Sequence, residues 1–157
     1  NSSAQDSVKA VFRPGDVLFG KLRPYLKKYN RPKFEGVCST EIWVLQPRGR
    51  ISTAYLYYLV QSTTFNKAAN VSSGSKMPRA DWSVVRNAVF KIPDAMEQDA
   101  IVSILENAEF LIHKYSAQRD KLVKQKTALM QQLLTGKRRV KVDSDVDRIV
   151  EEAAAHG

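Results

Sequence analysis

Nucleophilic catalysis needs a Ser or Cys beside an oriented base, and this chain of 157 residues offers few bases. His113 and His156 both lie far in sequence from Cys38, the single cysteine, which sits in a strand-like stretch and reads as a packed core thiol that has no disulfide partner in the chain. No second His or Cys stands near His113 to complete a metal site. Metal-dependent nuclease chemistry would want close carboxylates with a lysine, whereas Asp16, Glu35 and Glu41 are spread out and no acidic-x-Lys pair follows them. Asp16 reads as a turn residue and Glu41 as an isolated polar group on a strand. Gly74 stands alone, so no glycine loop of the Walker or dinucleotide kind is present, and the chain is expected to bind no cofactor.

Recognition chemistry is better represented. Six cations, Lys21, Arg23, Lys27, Lys28, Arg31 and Lys33, are interleaved with Pro24, Tyr25 and Tyr29 and followed by Phe34. A second stretch, Ser72 to Arg79, is polar and carries Ser75, Lys76 and Arg79. Lys and Arg neutralise phosphates, and Arg, Gln, Asn, Ser and Thr also read base edges, so the two stretches are the minimal equipment of a sequence reader. Lys21, Arg23, Lys27, Lys28 and Lys33, with Tyr25 stacking or packing, are the first set of candidate DNA contacts; Ser75, Lys76 and Arg79 are the second.

Charge distribution points the same way. The net charge is +9, and residues 1–93 hold 15 Lys/Arg against 5 Asp/Glu, while residues 143–157 hold 1 against 5. A basic excess concentrated in one region favours a polyanion, with nucleic acid ahead of a membrane surface. The longest uncharged stretch, Ile51 to Asn66, contains Ser, Thr, Gln and Asn and is shorter than the roughly 18 apolar residues of a membrane span. No membrane partner is expected, and the absence of a signal-like start with the lone cysteine predicts a reducing, cytoplasmic setting.

These side chains need a scaffold, and the pattern predicts an α+β class over residues 1–93. Val8 to Arg13 alternates weakly, Pro14-Gly15-Asp16 is a turn signal and Val17-Leu18-Phe19 reads as a buried strand, together a hairpin-like start. The prolines in the basic stretch argue against a helix there. Gly36 to Gln46, rich in β-branched and aromatic residues and closed by Pro47, reads as a central strand. Ser52 fits the N-cap of a helix over about Thr53 to Gln61, Asp81 to Arg86 fits a single turn, and Ala88 to Ile92 reads as a last strand before Pro93.

From Asp94 to Thr135 there is no Gly or Pro, and the composition predicts one long helix capped by Asp94 and ended by Gly136, with Lys137, Arg138 and Arg139 at its negative end. Some 40 residues would make a rod of about 60 Å. Ile101, Ala108, Tyr115, Leu122 and Leu129 repeat every seven residues, joined by Ile104 and Leu111 and then by Gln118, Gln125 and Gln132. Further apolar residues at Leu105, Ile112 and Leu133, and a second stripe at Val123, Met130 and Leu134, leave two surfaces in need of cover. The interface candidates are Ile101, Ile104, Ala108, Leu111, Leu122, Leu129 and Leu133; the alternative is an antiparallel pair of helices broken near His113 to Ser116. Residues 137–157 form a basic, then acidic, tail in which Arg148 to Ala155 fits a short helix.

Gly15-Asp16-Val17-Leu18-Phe19, Lys21-Leu22-Arg23-Pro24-Tyr25, Cys38-Ser39-Thr40-Glu41, Pro93 with Glu97-Gln98 and Ile101, and Lys126 with Leu129 to Lys137 occur in an order that resembles the specificity subunits of type I restriction-modification enzymes. The resemblance runs over about residues 14–142 and leaves the acidic tail outside it. It implies a small mixed α/β target recognition domain (residues 1–93, short at its N-terminus), a long conserved spacer helix (residues 94–136, coiled-coil-like) and a tail (residues 137–157). It also implies a subunit that catalyses nothing, reads one half of a bipartite site in double-stranded DNA and docks the modification (methyltransferase) subunit through its long helix. The restriction subunit then joins through the complex, and a second copy of the chain could pair through the long helix. Whole subunits of the family carry two such units where this chain carries one, so a half-length or truncated subunit is implied. A structural adaptor that oligomerises through the helix without reading DNA is the alternative.

Overall fold

A computed structural model describes residues 9–71 and 77–140. Within it, a small mixed α/β arrangement is followed by a long helix. The elements are β1 (Lys9–Phe12), β2 (Val17–Gly20), a 3₁₀ turn (Pro24–Leu26), β3 (Tyr29–Asn30), β4 (Gly36–Ser39), β5 (Ile42–Leu45), α1 (Thr53–Leu59), α2 (Thr63–Ala69), α3 (Trp82–Val85) and α4 (Ala95–Leu134). The chain divides into two compact units, Asn1–Asn107 and Ala108–Gly157, and α4 contributes to both.

In the first unit the strands form two antiparallel sheets, β1 with β4 and β3-β2-β5. The hairpin-like start is therefore corrected: β1 and β2 flank the Pro14-Gly15 turn but pair in different sheets. Asp16 behaves as a turn residue, its carboxylate accepting from the Arg13 N–H at 2.7 Å. The expected central strand is likewise two strands, β4 and β5, parted at Thr40-Glu41, and the central position belongs to β2. Its uninterrupted Val-Leu-Phe run suits a strand covered on both faces, and all three residues are buried. Cys38 is half-buried on β4 rather than packed in the core, because it belongs to the smaller sheet.

The core gathers Val17 and Phe19 of β2, Val60, Phe65 and Ala69 of the α1–α2 region, and Ala80 and Val85. Phe19 meets Phe65 edge-on at 5.0 Å and stacks near Trp43 at 5.8 Å, which in turn meets Trp82 at 5.4 Å. Ser52 caps α1 as expected, accepting from the Tyr55 N–H at 3.2 Å. Ser62 does the same for α2, a helix absent from the sequence reading. Buried Asn66 joins the two helices by donating to the carbonyls of Val60 (3.2 Å) and Ser62 (2.9 Å). The expected strand at Ala88 to Ile92 is not formed: Val89 is 85% exposed, Phe90 turns in toward Phe65, and the segment has no ladder partner among the described residues.

Helix α4 is continuous through His113 to Ser116, so the broken pair is excluded. Asp94 caps it by accepting from the Glu97 N–H at 2.9 Å. In the second unit the helix closes at Gly136, whose φ of +70° is a left-handed conformation that glycine adopts freely; the Arg138 N–H reaches back to the Gln132 carbonyl at 2.9 Å. No helix of the described residues is long and apolar enough to cross a membrane. The tail beyond Val140 lies outside the described residues.

Candidate nucleic-acid interface

Sheet β3-β2-β5 feeds directly into the basic stretch. As β2 ends, the Gly20 N–H donates to the Lys28 carbonyl at 2.8 Å and the Lys21 N–H to the Glu41 carbonyl at 2.9 Å. The next residues pair with the far end of the second polar stretch: Arg23 N–H to Pro78 carbonyl at 2.7 Å, Ala80 N–H to Lys21 carbonyl at 2.8 Å, and an antiparallel bridge between Leu22 and Arg79. Two segments more than fifty residues apart thus meet through their backbones, and Lys21, Arg23 and Arg79 come together.

Between them stands a tight turn. Arg23 (φ 51°) and Lys27 (φ 49°) are the two non-glycine residues with positive φ among the described residues, and they bracket Pro24-Tyr25-Leu26. Such a conformation costs an L-residue roughly 1–2 kcal/mol and persists only where neighbours enforce it. Here buried Pro24 roots the turn, and successive bonds from Leu26 N–H to Arg23 carbonyl (3.0 Å) and Lys27 N–H to Pro24 carbonyl (2.9 Å) close it. Tyr25 and Leu26 remain 55% and 52% exposed at its tip.

The other candidates divide plainly. Lys27, Lys28 and Lys33 are exposed and Lys21 half-buried, and none of these four makes an ion pair among the described residues. Lys33 lies between β3 and β4, and no described contact ties it to the turn. Arg79 pairs with Glu41 at 3.0 Å, an exposed bridge worth about 0–1 kcal/mol. Ser75 and Lys76 lie outside the described residues. Arg31 serves the fold: it pairs with Glu106 of α4 at 2.8 Å and lies 5.2 Å over the Tyr57 ring. Next to Arg79, Asp81 caps α3, and its bonds from the Ser83 side chain and backbone N–H hold its carboxyl below the ordinary aspartate range.

The acidic candidates for metal chemistry are occupied elsewhere, Glu35 beside Arg13 at 3.8 Å and Glu41 with Arg79. Among the described residues no three His, Cys, Asp or Glu side chains form a metal-holding group. A cavity of about 620 Å³ beside β5 and α3 is lined largely by apolar side chains, including Leu45, Leu59, Phe65 and Phe90, with Arg48 and Arg86 also on its wall.

Two features were given no role of their own by sequence reasoning: the exposed Leu26, and Gln98. Gln98 is 1% exposed; it accepts from the Ser52 N–H at 3.0 Å and donates to the carbonyls of Arg50 (2.8 Å) and Pro93 (3.0 Å). Through these bonds it joins the first turn of α4 to the capped start of α1. The only hint in the sequence was the Glu97-Gln98 pair. Of the helix candidates, Ile101 is half-buried, Ile104 is 68% exposed, Ala108 lies on the same helix, and Leu111, Leu122, Leu129 and Leu133 are all exposed.

A basic mixed α/β domain that hands its chain directly into a long helix with an uncovered apolar stripe defines the class. The pattern of the type I restriction modification DNA specificity domain matches residues 10–124, and the chain belongs to that family. It is 29% identical over 101 residues to the EcoDI specificity subunit of Escherichia coli, covering 64% of this chain and 22% of that protein. It is 31% identical over 93 residues to the MjaVIII specificity subunit of Methanocaldococcus jannaschii, covering 59% and 22%. Among solved structures it resembles the HsdS subunit of Thermoanaerobacter tengcongensis, with a TM-score of 0.64 and 26% identity over 83% of this chain and 35% of that one. A chain from a structural study of complex assembly and conformational transition of the type I R-M system shares the fold, with a TM-score of 0.68 and 24% identity over 90% and 39%. The chain thus spans 22% of the length of the two named relatives.

Proposed function

We propose that the chain is a non-catalytic DNA-reading unit of a type I restriction-modification enzyme. Residues 1–93 act as the target recognition domain, residues 94–136 as the spacer helix, and residues 137–157 as a tail. The domain reads one half of a bipartite site in double-stranded DNA. Lys21, Arg23, Lys27, Lys28, Lys33 and Arg79 meet phosphates or base edges, and Ser75 and Lys76 extend the same segment. The observation that supports this most is the Leu22–Arg79 bridge, which brings the backbone of Lys21 to Arg23 beside that of Arg79. The exposed stripe from Leu111 to Leu133 supports docking of the modification subunit, and of a second copy of the chain, along α4; the restriction subunit would enter through the assembled complex. Two copies related by a twofold axis would present identical readers to a palindromic split site.

Salt-dependent binding tests the reading. A chain carrying Lys27→Glu and Lys28→Glu should bind a mixed-sequence duplex more weakly, and its log–log salt slope should flatten by about 2, near 0.9 for each phosphate no longer neutralised. Unchanged affinity and slope would remove both lysines from the site. The same exposed stripe favours the adaptor as second reading, which predicts oligomers insensitive to salt and no sequence preference.

A further inference from the structure

Two paired half-site readers, as proposed above, select a site by the half-site sequences and by the number of base pairs between them. Resting on that reading, we infer that Arg31, held between Glu106 of α4 and the Tyr57 ring, is a positioning residue. It fixes the direction in which α4 leaves the recognition domain, and with it the preferred spacing of the half-sites.

Two anchors of different kinds hold the start of α4, and all of their residues belong to the first compact unit. Gln98 bonds to the Ser52 N–H at 3.0 Å and to the carbonyls of Arg50 and Pro93 at 2.8 and 3.0 Å. Eight residues further on, a rise of about 12 Å, Glu106 accepts from the Arg31 guanidinium at 2.8 Å. Gln98, buried Val102 and Glu106 follow one another at four-residue intervals and so share one side of the helix. A single contact leaves a rod free to pivot. A second one, displaced along the rod, removes that freedom.

Arg31 suits the second anchor. Among the described residues it is the one cation of the Lys21 to Lys33 stretch that makes an ion pair. Its guanidinium stands 5.2 Å over the Tyr57 ring, which meets Tyr29 edge-on at 5.9 Å and Tyr58 at 5.2 Å. The planar fork is therefore aimed before Glu106 meets it, unlike a solvated lysine. Such a bridge adds little to stability, but direction depends on it far more. Over the roughly 42 Å of helix from Glu106 to Leu134, a tilt of about 5° moves the end by about 4 Å, near the roughly 3.4 Å of one base-pair step. Each step also rotates a half-site by about a tenth of a turn, so readers set at a fixed angle accept one spacing and must deform the duplex to accept its neighbours.

The test co-expresses the full chain with its modification subunit in a host free of DNA methylation and sequences the modified bases, reading half-site sequence and spacing separately. Glu106→Arg sets two cations against each other at the root of α4. It should keep the half-site sequences and the melting temperature, while the preference for the native spacing over one base pair more or fewer falls by about tenfold or more. Glu106→Ala, which deletes the pair without repulsion, should weaken the same preference to a smaller extent. Arg31→Glu combined with Glu106→Arg, an opposite pair in reversed order, should recover the native spacing. If both single variants at Glu106 keep the native preference in full, the angle is set elsewhere and the positioning role is wrong, while DNA reading stands. Altered half-site sequences, or loss of every motif at an unchanged melting temperature, would also overturn it, because a tilted helix shifts spacing and leaves base contacts intact. If the native chain yields no motif, DNA reading itself is refuted and the role of Arg31 falls with it.

Discussion

Gln98 ties α4 to the recognition domain, and its removal gives a stability change that can be worked from the structure. Gln98→Ala deletes three hydrogen bonds to backbone groups, at 2.8, 3.0 and 3.0 Å. Each such bond contributes about 1 kcal/mol net, and a donor or acceptor left dry costs about 1–3 kcal/mol. The Ser52, Arg50 and Pro93 partners are part-buried, so water replaces some of the missing bonding, and the expected destabilisation is about 3 kcal/mol. Gln98→Glu separates hydrogen bonding from shape. One carboxylate oxygen still accepts from the Ser52 N–H, but the other faces the Arg50 and Pro93 carbonyls, so the folded state favours the protonated form. The introduced carboxyl then has a folded pKa above its unfolded value of about 4.3. The folded state binds the extra proton, so stability is greatest below that unfolded pKa and falls as pH rises toward the folded one. Urea titrations of the native chain and both variants at acid and neutral pH, with hydrogen exchange at the Ser52 amide, read these effects. A destabilisation below about 0.5 kcal/mol for Gln98→Ala, or a Gln98→Glu penalty that is the same at both pH values, would show that Gln98 does not hold this junction.

Other contacts give further expected outcomes. A Cβ at Gly36 would stand 2.6 Å from Phe12 Cζ, so Gly36→Ala should destabilise the β1–β4 sheet by about 1–3 kcal/mol in the same titration. Lys27→Gly should raise stability by up to about 1 kcal/mol by relieving the left-handed strain, whereas Lys27→Val should lower it, and calorimetric melting distinguishes the signs. Leu122→Asp with Leu129→Asp should leave the melting of the first unit unchanged and abolish any concentration-dependent association in sedimentation, because both side chains are exposed in the single chain.

What the sequence made legible was mostly local chemistry. Ser52, Asp81 and Asp94 signal helix starts because their short side chains can bond the amide two or three residues on, and all three do so. Helix α4 is visible because forty residues pass without a breaker. Sheet membership was not legible, since the Pro14-Gly15 turn looks the same whether its flanking strands pair together or depart to different sheets. The stretch Ala88 to Ile92 ahead of Pro93 reads as a strand, but a strand also needs a free edge to pair with. Within the candidate site, the residue types announced a basic surface, yet the joining of Leu22 to Arg79 depends on contacts across more than fifty residues. The left-handed turn was hidden because Arg and Lys are unusual carriers of positive φ. Gln98 was hidden because a polar helix residue reads as solvent-facing until the backbone of Arg50 and Ser52 is brought against it.

If the domain and its helix together direct a modification subunit to a DNA sequence, that subunit should leave its mark only where this chain takes it. The decisive measurement is co-expression of the chain with its modification subunit in a host free of DNA methylation, followed by sequencing of the modified bases. A single split, palindromic motif carrying modified adenine in both halves is the expected result. A soluble, co-purifying modification subunit with no modified motif would contradict DNA reading and leave the chain an assembly adaptor.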